Sequence, residues 1–218
     1  MSVETYFQER AEQFHALYGE EAAWQRWLNR WLRAGLYERA EIAARAVTEQ
    51  PGDSVLDVGC GSGRNSVLFI KAGAARVLGI DMAENMVTLA RQFSRDHSAA
   101  AQTEFISADF MQYAANAKFD HAVALGVFDY IAEPVAVLAK MASLATKKVI
   151  ASFPGTSLVR APLRKVRYAM RGCPVYFYTE ADLKRIFTQA GMPHAKIMPY
   201  ASSGFMGIAE LSAEGGSR

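Results

Sequence analysis

The spacing of apolar positions changes character once along the chain. Over residues 1–50 it is helical: Phe7, Ala11, Phe14 and Tyr18, then Trp24, Trp27, Leu28, Trp31 and Leu32. Gly19 and Gly35 divide that stretch into two or three helices, and Pro51-Gly52-Asp53 closes it. Beyond this point short apolar runs alternate with helical patterns. Strands are predicted over Ser54–Val58, Arg76–Ile80, Thr103–Ser107, Phe119–Leu125 and Lys147–Phe153. Helices are predicted over Arg64–Ala72, Ala83–Phe93 and Val135–Ser143. A further helix, Glu180–Ala190, is stopped by Gly191, and strands near Ala195–Tyr200 and Phe205–Leu211 follow with no helix between them. Alternation of this length predicts parallel βαβ units in a doubly wound α/β sheet, ended by an antiparallel hairpin. The expected organisation is a helical cap over 1–50 and a sheet domain over 51–218, with a helical insert at about 154–178.

Composition narrows the class. The chain has 218 residues, 51% hydrophobic and 21% charged, enough for one substantial core and unlike a disordered chain. A net charge of +2 offers no bulk attraction for nucleic acid, and no nucleic-acid partner is expected. Cys60 and Cys173 cannot build a disulfide framework and fit a reducing compartment. The four histidines and two cysteines show no metal-ligand spacing, so no metal is expected. The N-terminus lacks a secretory pattern and no run reaches the roughly 20 apolar residues of a membrane span. A cytoplasmic location is therefore expected.

The most informative segment runs Val55-Leu-Asp-Val-Gly-Cys-Gly-Ser-Gly-Arg-Asn65. It sets Gly59, Gly61 and Gly63, with Cys60 among them, where the first strand turns into the first helix of the sheet domain. Glycines suit a turn that a ligand must approach closely. A dinucleotide fingerprint, G-x-G-x-x-G, does not fit, because Arg64 or Ser66 stands where the last glycine belongs. Asp57, just before the turn, would repel a pyrophosphate but suits a ligand bearing an ammonium group. Asp81 ends the second strand, where an acid can accept the hydroxyls of a ribose. A ribose, a cationic amino end and no required phosphate describe S-adenosylmethionine.

These residues resemble the class I S-adenosylmethionine-dependent methyltransferases from about Asp53 to Leu211. Asp57-Val-Gly-Cys-Gly-Ser-Gly63 is similar to the family's first motif and Asp81 to its ribose-binding acid. Ser107-Ala-Asp-Phe110 resembles the turn beside adenine, and Phe119-Asp-His-Ala-Val-Ala-Leu-Gly126 the fourth strand. The resemblance implies a Rossmann-like, seven-stranded, mostly parallel sheet with an antiparallel last strand. It further implies that Asp57, the Gly59 carbonyl and the Leu125 backbone hold the methionine end. Gly61 and Gly63 would allow close approach. Met82 would pack on adenine, Asp109 would accept from its amino group, and Phe110 would complete the pocket.

Methyl transfer from a sulfonium asks the protein to align the groups and, for a neutral nucleophile, to remove a proton. Crevice ligands sit at strand carboxyl ends, which makes Asp129 and Tyr130 after the fourth strand the candidate catalytic residues. His15 in the front helices is a third, while His121, inside a strand, reads as packed. Tyr6 and Tyr18 on the front helices are candidate substrate contacts. The insert Arg160–Arg171 has five basic residues and no acid, and Arg164, Lys165 and Arg167 would suit an anionic substrate. The aromatic front helix and this insert leave open a peripheral membrane contact.

Within the family, the resemblance extends to magnesium-protoporphyrin methyltransferases and to quinone-biosynthesis O-methyltransferases. The Tyr6-Phe7 pair, Ala142–Phe153 and the basic Leu163–Arg171 helix carry the first of these. Tyr130 or its neighbours stand where that group tends to place a histidine. The expected function is methyl transfer to a small-molecule acceptor, at an oxygen of an anionic or aromatic compound. The alternative is a protein that binds the cofactor or S-adenosylhomocysteine without turnover, as a partner subunit.

Overall fold

A computed structural model describes residues 36–156, 175–200 and 204–211. His15, Tyr6, Tyr18, Arg164, Lys165 and Arg167, with the aromatic front helix and most of the basic insert, lie outside the described residues.

A helix covers residues 36–47 (α1). It is followed by β1 (Ser54–Val58), α2 (Arg64–Ala72), β2 (Arg76–Asp81), α3 (Glu84–Asp96), β3 (Thr103–Ser107) and β4 (Phe119–Ala124). Then come α4 (Pro134–Leu144), β5 (Ala145–Pro154), α5 (Glu180–Gln189), β6 (Lys196–Tyr200) and β7 (Gly204–Glu210). The strands form one seven-stranded sheet in the order β3-β2-β1-β4-β5-β7-β6. The first five strands are mutually parallel, whereas β7 runs antiparallel to both β5 and β6. This is the Rossmann-like sheet expected from the sequence, terminal hairpin included.

The period-2 alternation of each strand divides the core between two layers. Leu56, Leu78, Ala122 and Val149 point to one face, where they meet Leu138 and Met141 of α4 and Leu183 and Phe187 of α5. Their neighbours Val55, Val77, Val123 and Ile150 point to the other, against Phe69 of α2 and an alanine-rich face of α1. With a helix layer on both sides, β1 is buried at every position, which is why it reads as an unbroken apolar run with one acid in it. Residues 40–47, placed by sequence in a front cap, thus share a hydrophobic cluster with the sheet itself.

Helix boundaries follow local chemistry. Thr179 and Asp182 form a reciprocal capping box at the start of α5, and Pro134 occupies the first turn of α4. α4 passes straight into β5 at Ala145, so this strand starts earlier than the Lys147 expected. No helix connects β3 to β4. A cavity of about 680 Å³ opens there over the β2–β3 face, lined by Arg76, Glu104, Tyr113 and Phe119 and by none of the candidate residues.

Strand order reverses between β1 and β4, and a crevice at such a switch point, outside the strand carboxyl ends, is where open α/β sheets bind ligands.

Candidate functional site

The turn that leaves β1 is tied to β2 by two backbone hydrogen bonds: the Gly59 and Cys60 N–H groups donate to the Ile80 carbonyl at 2.7 and 3.1 Å. Gly59, Gly61 and Gly63 all have left-handed φ, at 68°, 52° and 73°. A side chain is excluded at each for a different reason. A β-carbon on Gly59 would lie 2.4 Å from Cγ2 of Val127, the residue that crosses the turn from β4. One on Gly63 would meet Ala90 and Phe105 at 2.9 and 3.0 Å, where the turn packs on α3 and β3. Around Gly61 nothing stands within 4 Å among the described residues, so this side of the turn is open.

Asp81 braces this open segment. Its Oδ2 accepts the Gly61 N–H at 2.8 Å and its Oδ1 the Ala83 N–H at 3.0 Å. Burial raises the carboxyl above its ordinary range, and the backbone donors of Ala83, Gly61 and Met82 partly offset the rise. With three backbone donors on about four acceptor positions, the carboxylate retains capacity for a further donor. Met82, beside it, is 47% exposed, an unusual state for a large apolar side chain at the lip of a crevice.

Asp57 lies beneath the turn, 1% exposed, and its Oδ2 accepts the Ser66 hydroxyl at 2.6 Å. Burial, with the nearby Asp81 adding to it, pushes the carboxyl up to about 7 against the pull of Ser66. Cys60 belongs to a different environment. Its thiol packs with Val87, Ala90 and Phe105, and burial pushes its titration well up. Only its backbone remains to face the crevice.

On the β3 side, Asp109 is committed to its own turn: Oδ1 accepts the Met111 N–H at 2.8 Å and Oδ2 the Gln112 amide at 3.1 Å. Phe110 is buried, with Lys140 Nζ 5.4 Å from its ring centre, and Met111 beyond it is 44% exposed.

At the exit of β4, Leu125 is buried in the cluster that packs against α1 and Phe69 of α2, and Gly126 takes a left-handed φ of 79°. The Gly126 N–H donates to the Ser152 hydroxyl on β5 at 2.9 Å. Against this glycine lies Arg39 of α1, whose Nη2 is 2.7 Å from where a β-carbon would stand. Among the described residues no acidic side chain pairs with Arg39. Asp129 is buried and Tyr130 half-buried in the loop that follows. The hydroxyl of Tyr178 spans that loop, donating to the Phe128 and Ile131 carbonyls at 3.2 and 3.3 Å, and Tyr176 N–H donates to the Asp129 carbonyl at 2.9 Å. Burial, with Asp129 second, pushes Tyr178 up to about 12.

His121 is elsewhere. It pairs in register with Val55 at the entry side of the sheet, 2% exposed, with Nε2 2.9 Å from Asp53 Oδ2. Asp57, Gly61, Asp81 and Met82 thus gather at the β1–β2 exits, with Leu125 and Gly126 across the switch point. The sequence reading missed Arg39, Ser66, Val127, Ser152 and Tyr178. Ser66 sits one helical turn inside a recognisable motif, whereas nothing local distinguishes the other four. Among the described residues no cluster of three or more His, Cys, Asp or Glu could hold a metal ion, and no helix is long and apolar enough to cross a membrane.

The methyltransferase-domain family matches residues 49–191. The chain is 32% identical over 153 residues to a magnesium-protoporphyrin O-methyltransferase of Synechocystis sp., a match covering 67% of this chain and 65% of the relative. It is 32% identical over 103 residues to a ubiquinone biosynthesis O-methyltransferase of Xanthomonas campestris, covering 47% of this chain and 42% of the relative. Both matches span less than two thirds of the relatives' own length. Among solved structures, the magnesium protoporphyrin IX methyltransferase of Synechocystis with bound S-adenosylhomocysteine superposes with a TM-score of 0.78 at 26% identity, covering 96% of this chain and 98% of that one.

Proposed function

The chain belongs to the methyltransferase-domain family, and on that premise we propose that it transfers the methyl group of S-adenosylmethionine to an oxygen of a small anionic or aromatic acceptor. The observation that carries the proposal is the open side of Gly61, flanked by the Asp81 carboxylate and the exposed Met82 at the exits of β1 and β2. That cradle fits the donor. The remaining acceptor capacity of Asp81 would serve the ribose hydroxyls, Met82 and Met111 would flank the adenine, and Phe110 would complete the pocket. Asp109 keeps the adenine turn in shape through its own backbone and reaches the base with what acceptor capacity remains.

The Gly59 carbonyl and the Leu125 backbone would hold the methionine end. Its ammonium would lie above buried Asp57, and its carboxylate would meet Arg39, whose guanidinium stands against Gly126 and pairs with no acid among the described residues. When bound, the donor supplies an electrophilic methyl on a sulfonium. The protein aligns the acceptor oxygen with it and takes up the acceptor proton. Tyr130 and Asp129, on the loop clamped by Tyr178, are the groups on the acceptor side. The names of the two O-methyltransferase relatives support transfer to oxygen on a ring-bearing acceptor.

Titration calorimetry with S-adenosylhomocysteine, followed by a labelled-methyl screen of anionic aromatic acceptors, tests this reading. Binding that is lost in Asp81→Ala, together with turnover of one acceptor class, supports it. Binding without turnover across the screen returns the protein to the partner-subunit alternative, and no binding overturns the donor site.

A further inference from the structure

Two carboxyl groups, Asp57 and Asp81, act on one another at the glycine turn, and among the described residues no basic side chain pairs with either. Among the described residues Asp57 receives one side-chain donor, the hydroxyl of Ser66, itself fully buried on the first turn of α2. Its partners in the sheet, Gly79 of β2 and Val123 of β4, bring no polar side chain. Among the described residues, the other titratable groups that act on this region are Asp81 at the end of β2 and the Cys60 thiol of the turn, both acids. Among the described residues no basic side chain pairs with Asp57. An ionised Asp57 in the ligand-free protein is therefore a desolvated charge facing a second negative group, with one neutral donor to hold it.

We propose that ligand binding is proton-linked through this pair, with Ser66 as the positioning residue: in the empty site Asp57 retains its proton, and entry of the ligand's ammonium group displaces that proton to solvent. The inference rests on the donor reading above. In balanced form, the Asp57 carboxylic acid and the ligand ammonium give a carboxylate–ammonium pair and one proton released; no covalent bond to carbon or sulfur changes. The Ser66 hydroxyl donates to the carboxylate and keeps the proton releasable near neutrality, since without that donor burial alone would hold it to higher pH.

Calorimetry of the whole chain with S-adenosylhomocysteine between pH 6.0 and 8.0, in buffers of different ionisation enthalpy, reads the linkage directly. Affinity is expected to fall about eightfold from pH 7.5 to 6.0, as the ionised fraction of a group near 7 falls. Asp57→Asn should bind more weakly with no pH slope and no proton release. Ser66→Ala should keep the slope but move it to higher pH, a shift that a merely structural loss of packing would not produce. 5′-Methylthioadenosine, which lacks the ammonium, should bind without a slope. The proposal is overturned by a slope that persists unchanged in both variants, or by an equal slope for methylthioadenosine. Failure of S-adenosylhomocysteine to bind even at pH 8.0 would instead remove the donor site itself.

Discussion

Arg39 of α1 rests its guanidinium against Gly126 at the exit of β4, with Nη2 2.7 Å from the position a β-carbon would occupy. Two elements far apart in sequence thereby share one corner of the crevice. Gly126→Ala would combine this collision with a left-handed φ of 79°, worth about 1–2 kcal/mol of backbone strain for an L side chain. We expect a lower melting temperature and about tenfold weaker binding of S-adenosylhomocysteine. Arg39→Ala should weaken binding by a similar or larger factor at an unchanged melting temperature, and Arg39→Lys should recover part of it. Equal affinity in wild type and Arg39→Ala would remove the guanidinium from the site.

Gly59 carries a sharper steric constraint, because Val127 Cγ2 lies 2.4 Å from its absent β-carbon. Gly59→Ala should abolish measurable cofactor binding. Adding Val127→Ala removes the obstructing methyl groups but not the strain of a φ of 68°, so the double variant should recover binding only in part. Full recovery would show that the valine contact alone excludes a side chain there.

Asp57 should cost the ligand-free protein stability. A carboxyl raised from 3.8 to about 7 by burial leaves stability undiminished below pH 4 and lost progressively as pH rises through 7, because the folded state holds a proton that the unfolded state has released. The loss is on the order of 2–4 kcal/mol once the group is ionised. Asp57→Asn is accordingly expected to melt higher than wild type at pH 8 while binding cofactor worse, with the difference in melting temperature shrinking toward pH 5. Scanning calorimetry at the two pH values checks both signs.

His121 acts in the opposite direction. Burial lowers its titration, so it stays neutral in the fold while the unfolded chain takes up a proton below about pH 6.5. Stability from this group is present above that pH and declines as the solution is acidified. Its Nδ1 is buried without a partner, which leaves the protonated ring one unmet donor. In the Asp57→Asn background the melting temperature should drop on going from pH 7 to 5.5; a flat profile would mean the ring protonates in place.

Tyr178 should separate binding from turnover. Tyr178→Phe removes the hydroxyl that bridges the Phe128 and Ile131 carbonyls, costing about 1–2 kcal/mol of stability at this buried site. It leaves the donor cradle untouched. We expect unchanged S-adenosylhomocysteine affinity and a lower kcat with the acceptor, because the loop bearing Asp129 and Tyr130 loses its clamp. A fall in donor affinity of the same size would tie the loop to the cofactor instead.

Strand and helix identities were legible in the order of residues, since a two-residue period and a 3.6-residue period are local properties of the chain. So was the placement of Asp57 and Gly61 at the exit of the first strand and of Asp81 and Met82 at the exit of the second, since each pair stands in one short stretch of sequence. Two assignments within that same motif were not legible. Cys60 turns its thiol into the Val87–Phe105 cluster, and Gly63 is needed for Ala90 and Phe105, because packing against α3 and β3 decides where each points. Arg39, Ser152 and Tyr178 carry no local signature at all. They reach the exit of β4 only because the fold brings α1, β5 and the segment before α5 there, where Ser152 accepts from Gly126 and Tyr178 donates to the Phe128 and Ile131 carbonyls. Local period determined the elements and the turn; contacts between distant segments decided which side chains complete the crevice.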